Sequence, residues 1–445
     1  MARSYESVLL STTDRKTNHQ LVQISQDEVD VVGLQPPSKC FKSEALASRP
    51  KKRRKGEPQH GRKCKMPQPL SARDSQPRTP EDYAIGIICT LAVEKAAFQA
   101  MLDDVHDPLP TVEGDENSYT FGRIGTHNVV VACLPAGMMG NNSAATVAKD
   151  MLRSFPIKIG LMVGVGGGVW SNKVDMRLGD VVVSQPDGKH GGVVQWDFGK
   201  IEKGGIFKRT GSLDKPPRVL LNALQDVKTK HMIEGDSLAK HLSQMAANKP
   251  FMVQTFGYQG AESDQLYQAA YEHIGGETCE ECDPGQVIER LPPRTSSAPK
   301  IYYGNIASGN EVVKHGLTRD RIAAEEGIIC FEMEAAGLMD SFPCLVIRGI
   351  CDYADSHKNK RWQPYAASTA AAYAKELLLM IPTAEVAKTQ TADETIRAAD
   401  NYDYRLEGAS KPVARLMFYN YGSVRGKNIL QNTTMSGNSN SLTFS

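Results

Sequence analysis

Glu332 and Glu334 stand two residues apart in the segment CFEMEAAGLMDSFPCLVIRGICDYAD at 330–355, and Asp352 lies near its end. Each carboxylate follows an apolar stretch: 327–331 runs into Glu332 and Glu334, and 343–350 runs into Asp352. Glu94 occupies a similar place after the apolar run of IGIICTLAVE at 85–94. Open α/β sheets place their chemistry at strand ends. Carboxylates held there suit acid–base work, and burial raises a carboxyl pKa, so a buried Asp352 is a candidate general acid. Taken singly, each group has a plainer explanation as a helix cap or a solvated charge. Glu94 in the first turn of a helix is favoured by the helix dipole alone. Their joint arrangement is what singles them out. Cys279 and Cys282 form a CxxC with His273 upstream. One such pair without a second is a weak zinc pattern, and neither a metal nor another cofactor is expected.

The elements that must position these groups are legible as apolar runs. Strands are predicted at 84–89, 129–134, 159–165, 180–184, 301–306, 328–331 and 345–350. Helices are predicted at 92–103, 143–154, 217–229, 318–326, 334–340 and 366–381. Strands alternating with helices predict an α/β fold, a three-layer sandwich with a central mixed β-sheet. Two polar segments flank it, 1–81 and 383–445, both expected to be disordered tails. The predicted domain spans 82–382 and carries a long insertion at about 203–300.

Three loops carry further candidate contacts. MVGVGGG at 162–168 is glycine-rich after a strand, where glycine lets backbone approach a ligand closely. It is no dinucleotide fingerprint, since no acidic partner closes a following βαβ unit. LPAGMMGNNS at 134–143 leads into a small-residue helix, whose first amides can hold an anion. Asn142 or Ser143 could equally cap that helix. ASGNEVV at 307–313 forms another predicted turn.

FEMEAAGL at 331–338 followed by RGICDYAD at 348–355 resembles the signature of the nucleoside phosphorylase/nucleosidase superfamily. That superfamily includes purine nucleoside phosphorylase, uridine phosphorylase and the methylthioadenosine/S-adenosylhomocysteine nucleosidases. The resemblance runs from about Asp82 to Pro382. It implies that Glu334 accepts hydrogen bonds from the two sugar hydroxyls, Met333 packs on the sugar face, and Asp352 protonates the purine N7. Glu332 and Asp355 stay outside that assignment, Glu332 as a structural group and Asp355 as a helix cap. Glu94 matches the glutamate that activates water in the adenosine-type nucleosidases. The resemblance sets Gly164 and Val165 beside the sugar, Gly137 in the segment bordering the ribose, and the Val313 backbone at the edge of the base. The chain lacks the Gly-Asp-Pro turn of purine phosphorylases. It carries Met162 and Val165 where bacterial-type phosphorylases have Arg and Ser. Losing that cation and hydroxyl weakens a phosphate site, which favours hydrolysis. Asn310 and Val312 replace the family's Asp and base-stacking aromatic. A purine nucleosidase acting on an adenine nucleoside or nucleotide is therefore expected. The alternatives are a phosphorylase and a catalytically inactive nucleoside sensor.

The remaining features bound the setting. The chain has 445 residues, 40% hydrophobic and 23% charged, with a formal net charge of +1. Nothing in that balance argues for nucleic-acid or membrane partners, and no run is long enough to span a bilayer. Nine scattered cysteines suggest reduced thiols and an intracellular setting. PKKRRK at 50–55 is a possible nuclear import signal; otherwise the cytoplasm is expected. The Asn- and Ser-rich stretch 420–445 resembles the amyloid-type signalling motifs of fungal immune-like receptor systems, in which domains of this type serve as effectors. Homotypic assembly through 420–445 and a homo-oligomeric enzyme are the partner expectations that follow.

Overall fold

The computed structural model describes residues 78–291, 294, 296–395 and 397. All belong to the unit Arg73–Ser445. The basic cluster at 50–55 and the segment 420–445 lie outside the described residues.

The strands are β1 (Ile85–Cys89), β2 (Asp104–His106), β3 (Tyr119–Ile124), β4 (His127–Cys133), β5 (Ile159–Gly168), β6 (Val181–Ser184), β7 (Val193–Gln195), β8 (Gly199–Ile201), β9 (Phe207–Arg209), β10 (Ile301–Ser308), β11 (Ile328–Glu332) and β12 (Cys344–Asp352). The helices are α1 (Ala92–Ala100), α2 (Asn141–Ser154), α3 (Arg218–Glu234), α4 (Leu238–Asn248), α5 (Val253–Phe256), α6 (Gly316–Glu326), α7 (Gln363–Met380) and α8 (Thr383–Lys388). Ten strands form one mixed sheet in the order β11-β10-β6-β12-β5-β1-β4-β3-β2, with β7 paired to β10.

Alternate residues of the central strands feed two cores, as the two-residue period of a strand requires. Ile87, Val131, Leu161 and Ile347 face a cluster that includes residues of α1, α3, α4 and α7. Ile88, Val130, Met162 and Val346 face one formed with α2 and residues 335–342. The sheet is thus the middle of three layers. Each wholly buried aliphatic side chain contributes roughly 1.5–3 kcal/mol relative to exposure. The insertion shares this core, through Leu220, Leu224, Val227 and Leu238 of α3 and α4.

One feature goes beyond an open sandwich. β11 pairs with β10 on one side and antiparallel with β5 on the other, at Cys330↔Gly168 and Phe331↔Gly167. Strands β5, β12, β6, β10 and β11 therefore close into a ring. α7 lies tightly on β12 because Gly349 has no side chain: a Cβ there would stand 1.8 Å from the Ala366 carbonyl oxygen. The helix expected at 334–340 is only a 3-10 turn, Ala335–Gly337, because its first residue is held by the carboxylates described below.

Candidate active site

β1 pairs with β5 as far as Met162, and β11 takes the same edge at Gly167 and Gly168. Residues 163–166 are left between two partners. Glu94, in the first turn of α1, fills that gap. Its Oε1 accepts the Val165 N–H at 2.8 Å, and its Oε2 accepts Thr90 N–H at 2.7 Å and Leu91 N–H at 2.9 Å. Burial pushes its pKa up, and Arg348 with these three N–H groups only partly opposes that.

Arg348 stands opposite Gly164 in the β5–β12 register. A Cβ at Gly164 would lie 2.3 Å from Arg348 Nη1 and 2.5 Å from Glu94 Oε1. The glycine run expected to be a turn against a ligand is instead part of β5, and Gly164 makes room for the protein's own charged groups. Arg348 is wholly buried, hydrogen-bonds Glu332, and stands 3.7 Å from Glu334 Oε2. Burial works against its charge, but Glu332, Glu334 and Glu94 keep it cationic. One guanidinium therefore faces three carboxylates.

Glu332 holds the turn that aims Glu334, accepting the N–H groups of Glu334 and Ala335 at 3.1 Å and 3.0 Å. Glu334 Oε1 accepts Gly140 N–H at 3.2 Å. Burial and the neighbouring Glu332 push Glu334 up to about 7, with Arg348 and the Gly140 N–H opposing. Asn141 and Ser308 tie the loops around this carboxylate. Asn141 Oδ1 accepts Gly337 N–H at 3.2 Å, Ser308 Oγ accepts Ala336 N–H at 2.9 Å, and Asn310 Oδ1 accepts Asn141 N–H at 3.0 Å.

Asp352 sits opposite Gly167, where a Cβ would come within 2.8 Å of its Oδ1. Three residues along β5 separate Gly164 from Gly167, about 10 Å of strand. Asp352 accepts Ala354 N–H at 2.9 Å and the Cys351 thiol at 3.1 Å, and pairs with Lys358 Nζ at 2.9 Å. The expectation of a raised Asp352 pKa is corrected here. Burial does push it up, but Lys358, Cys351 and Ala354 outweigh burial and hold it below the ordinary carboxylate value. The backbone next to it is strained, with Ala354 at φ 51°. Asp355 is not a helix cap. It accepts His357 N–H at 3.0 Å and lies 3.5 Å from Arg319, and burial raises it to about 6 against the pull of Arg319.

The structure therefore brings Glu94, Gly164, Val165 and Glu334 together, with Met333 between Glu332 and Glu334 and Asp352 further along the same strand pair. In the 134–143 loop it is Gly140 that touches Glu334, while Gly137 sits in the exposed turn before it. Val313 packs on the cluster containing Phe331 and Ala354. Val312 is exposed, and Trp196 lies beside this turn, edge-on to Phe331 and against Gly309. Sequence reasoning missed Arg348 and Lys358 as site residues. A lone charge inside CLVIRGI was a usable signal for Arg348, since a buried cation demands partners. Nothing comparable marked Lys358.

A ring-closed mixed α/β sheet thus carries a carboxylate–guanidinium cluster in the gap between β1 and β11. The chain belongs to the phosphorylase superfamily, whose family model matches residues 84–379. It is 46% identical over 304 residues to a nucleotide-binding leucine-rich repeat (NLR)-like protein of Hyaloscypha variabilis, covering 68% of this chain and 30% of that relative. The chain thus spans less than a third of that relative's length. A 5'-methylthioadenosine/S-adenosylhomocysteine nucleosidase of Mycobacterium bovis is 25% identical over 315 residues, 67% of this chain and 96% of the relative. Among solved structures, an S-adenosylhomocysteine nucleosidase of Streptococcus pyogenes is 17% identical with a TM-score of 0.43, covering 67% of this chain and 97% of that one.

Proposed function

We propose that this domain hydrolyses the N-glycosidic bond of a purine nucleoside or nucleotide, with adenine as the leaving base. The observation that carries the reading is the Glu94–Arg348–Glu332–Glu334 cluster. Three carboxylates against one buried guanidinium leave a formally negative site, which repels a phosphate anion and suits a water molecule. Water is therefore the acceptor, and a phosphorylase would need a cation that this cluster does not spare.

In the reaction, the bond between the sugar C1′ and the base nitrogen breaks, and its electron pair leaves with the purine. Glu334 accepts hydrogen bonds from the two ribose hydroxyls. Glu94, raised by burial toward base strength, takes a proton from the water that attacks C1′. Asp352, which Lys358 holds ionised in the free site, takes up a proton from solvent as the substrate binds and delivers it to N7 as negative charge builds on the base, and Lys358 beside it stabilises that charge. The likeness to named nucleosidases supports the chemistry. The match to one segment of an NLR-like protein supports a role as the catalytic part of a receptor-type immune effector.

The test is release of free base from adenosine, inosine, methylthioadenosine, AMP, ATP and uridine in phosphate-free buffer, followed by chromatography. Adenine from one or more adenine compounds, and no uracil, is the expected result. Release of uracil alone, or of no base from any compound, would overturn it.

A further inference from the structure

The part of the insertion between α5 and β10 carries, among its described residues, only short 3-10 turns and one antiparallel bridge, Tyr267↔Val287, and has little other regular structure to hold it. Within it, His273, Cys279 and Cys282 bring one ring nitrogen and two sulfurs within 4.8 Å of one another. Cys282 is buried, and both thiols are free. His273 Nε2 is 3.0 Å from the Thr278 carbonyl oxygen, so its N–H donates there. The lone pair on Nδ1 accepts the Gly275 N–H at 3.2 Å, a contact that a metal ion would replace. Donation of one ring N–H to a carbonyl is how metal-bound histidines are usually oriented.

A second observation comes from outside the insertion. His357, in the loop after β12, is buried, and neither of its ring nitrogens has a hydrogen-bond partner. Its Nδ1 lies 3.8 Å from Asp355, beyond hydrogen-bond reach. A buried imidazole left in this way is costly. The ring is held flat on Tyr267 at 3.9 Å and edge-on to His273 at 5.5 Å between centres. Two imidazoles on one tetrahedral zinc, with Zn–N near 2.1 Å, put their ring centres roughly 5 Å apart.

We propose that His273, Cys279 and Cys282 bind a zinc ion, with His357 turning in as the fourth ligand. Two thiolates and two imidazoles in a tetrahedral set select zinc over the oxygen-preferring cations. Four protein ligands make the site structural, with no open position for chemistry. Each thiol gives up its proton on binding, and no electrons are transferred.

The site also positions the proposed catalytic acid. The backbone N–H of His273 donates to Ser356 Oγ at 2.9 Å, and Cys279 Sγ lies 4.0 Å from the His357 carbonyl oxygen. The metal loop thus clasps residues 355–358, the turn that sets Lys358 on Asp352. Cys279, Cys282, His357 and Asp352 line one cavity of about 500 Å³.

The experiment is elemental analysis of the purified full chain with thiol counting and cobalt(II) exchange. About one zinc per chain is expected. Mercurial titration of the wild type should release it in step with two thiols, a readout that needs no variant to fold. Cobalt(II) should give the sulfur-to-metal charge-transfer bands of a two-thiolate tetrahedral site. Cys279→Ser/Cys282→Ser should lose the metal. His357→Ala should keep the cobalt–thiolate bands but bind zinc more weakly, with loss of zinc to a competing chelator at a concentration the wild type withstands, because one of four protein ligands is gone. Absence of zinc after zinc-supplemented expression, a Cys279–Cys282 disulfide, or full zinc retention in the double variant would overturn the site. Unchanged zinc affinity in His357→Ala would overturn the fourth ligand.

Discussion

Lys358 Nζ lies 2.9 Å from Asp352 Oδ2, with the carboxylate buried and the lysine side chain 28% exposed. The group assigned to give up a proton thus rests against a permanent cation. The pairing keeps Asp352 ionised in the free site despite its burial. Lys358→Met should therefore raise the Asp352 pKa, since burial then acts against fewer opponents. The limb of kcat/KM that requires protonated Asp352 should move to higher pH. A pH–rate profile of the variant checks this, and an unmoved limb would separate Lys358 from the acid.

Asp352→Asn keeps the shape and removes the transferable proton. Turnover should fall roughly 10²–10⁴-fold, the usual contribution of a general acid. Single-turnover kinetics on the best substrate would check it, and near-wild-type turnover would remove Asp352 from the mechanism.

Glu334 gives a prediction in which stability and activity move in opposite directions. Its pKa rises from 4.5 to about 7 on folding. Its stability contribution is fully present below pH 4.5 and is lost as pH rises through 7, because the folded state holds a proton that the unfolded chain releases. Glu334→Gln mimics the protonated form. The variant should match wild-type stability at low pH and exceed it at pH 8 by up to roughly 3 kcal/mol. It should lose roughly 10–150-fold in kcat/KM, the worth of hydrogen bonds to a charged acceptor. Urea melts at two pH values, with kinetics, check both.

Gly164→Ala puts a methyl group where the Arg348 and Glu94 side chains cross β5. Neither charged group can withdraw without leaving a buried partner unpaired. Overpacking of this kind costs typically 1–3 kcal/mol, and Glu94 should be displaced from Val165 N–H. A lower melting temperature together with a loss of turnover is the expected outcome.

The parts legible from sequence were those set by local pattern. The seven strands read from apolar runs all form, because two-sided burial leaves a run such as LVIRGI no other solution. β2, β3, β7, β8 and β9 are short or half-exposed, and their patterns were too weak to see. Glu94, Glu334 and Asp352 stood out as acids following strands. The environment of Asp352 did not, because the sequence shows that a group will be buried but not which partner meets it there. Lys358 reaches Asp352 only through the turn that Asp355 and the 264–291 segment shape. That the glycine run continues β5 was hidden for the same reason: its missing side chains make room for contacts from β12, distant in sequence. His273, Cys279 and Cys282 looked weak as a zinc pattern because His357, their fourth neighbour, comes from another part of the chain.

The central claim is that water, activated by Glu94 beside Arg348, attacks the sugar. It is tested most directly by running the reaction in ¹⁸O-labelled water with inorganic phosphate present, and analysing the sugar product by mass spectrometry. One ¹⁸O at the anomeric carbon, with no sugar 1-phosphate, is the expected result. An unlabelled sugar 1-phosphate would contradict it and make phosphate the acceptor.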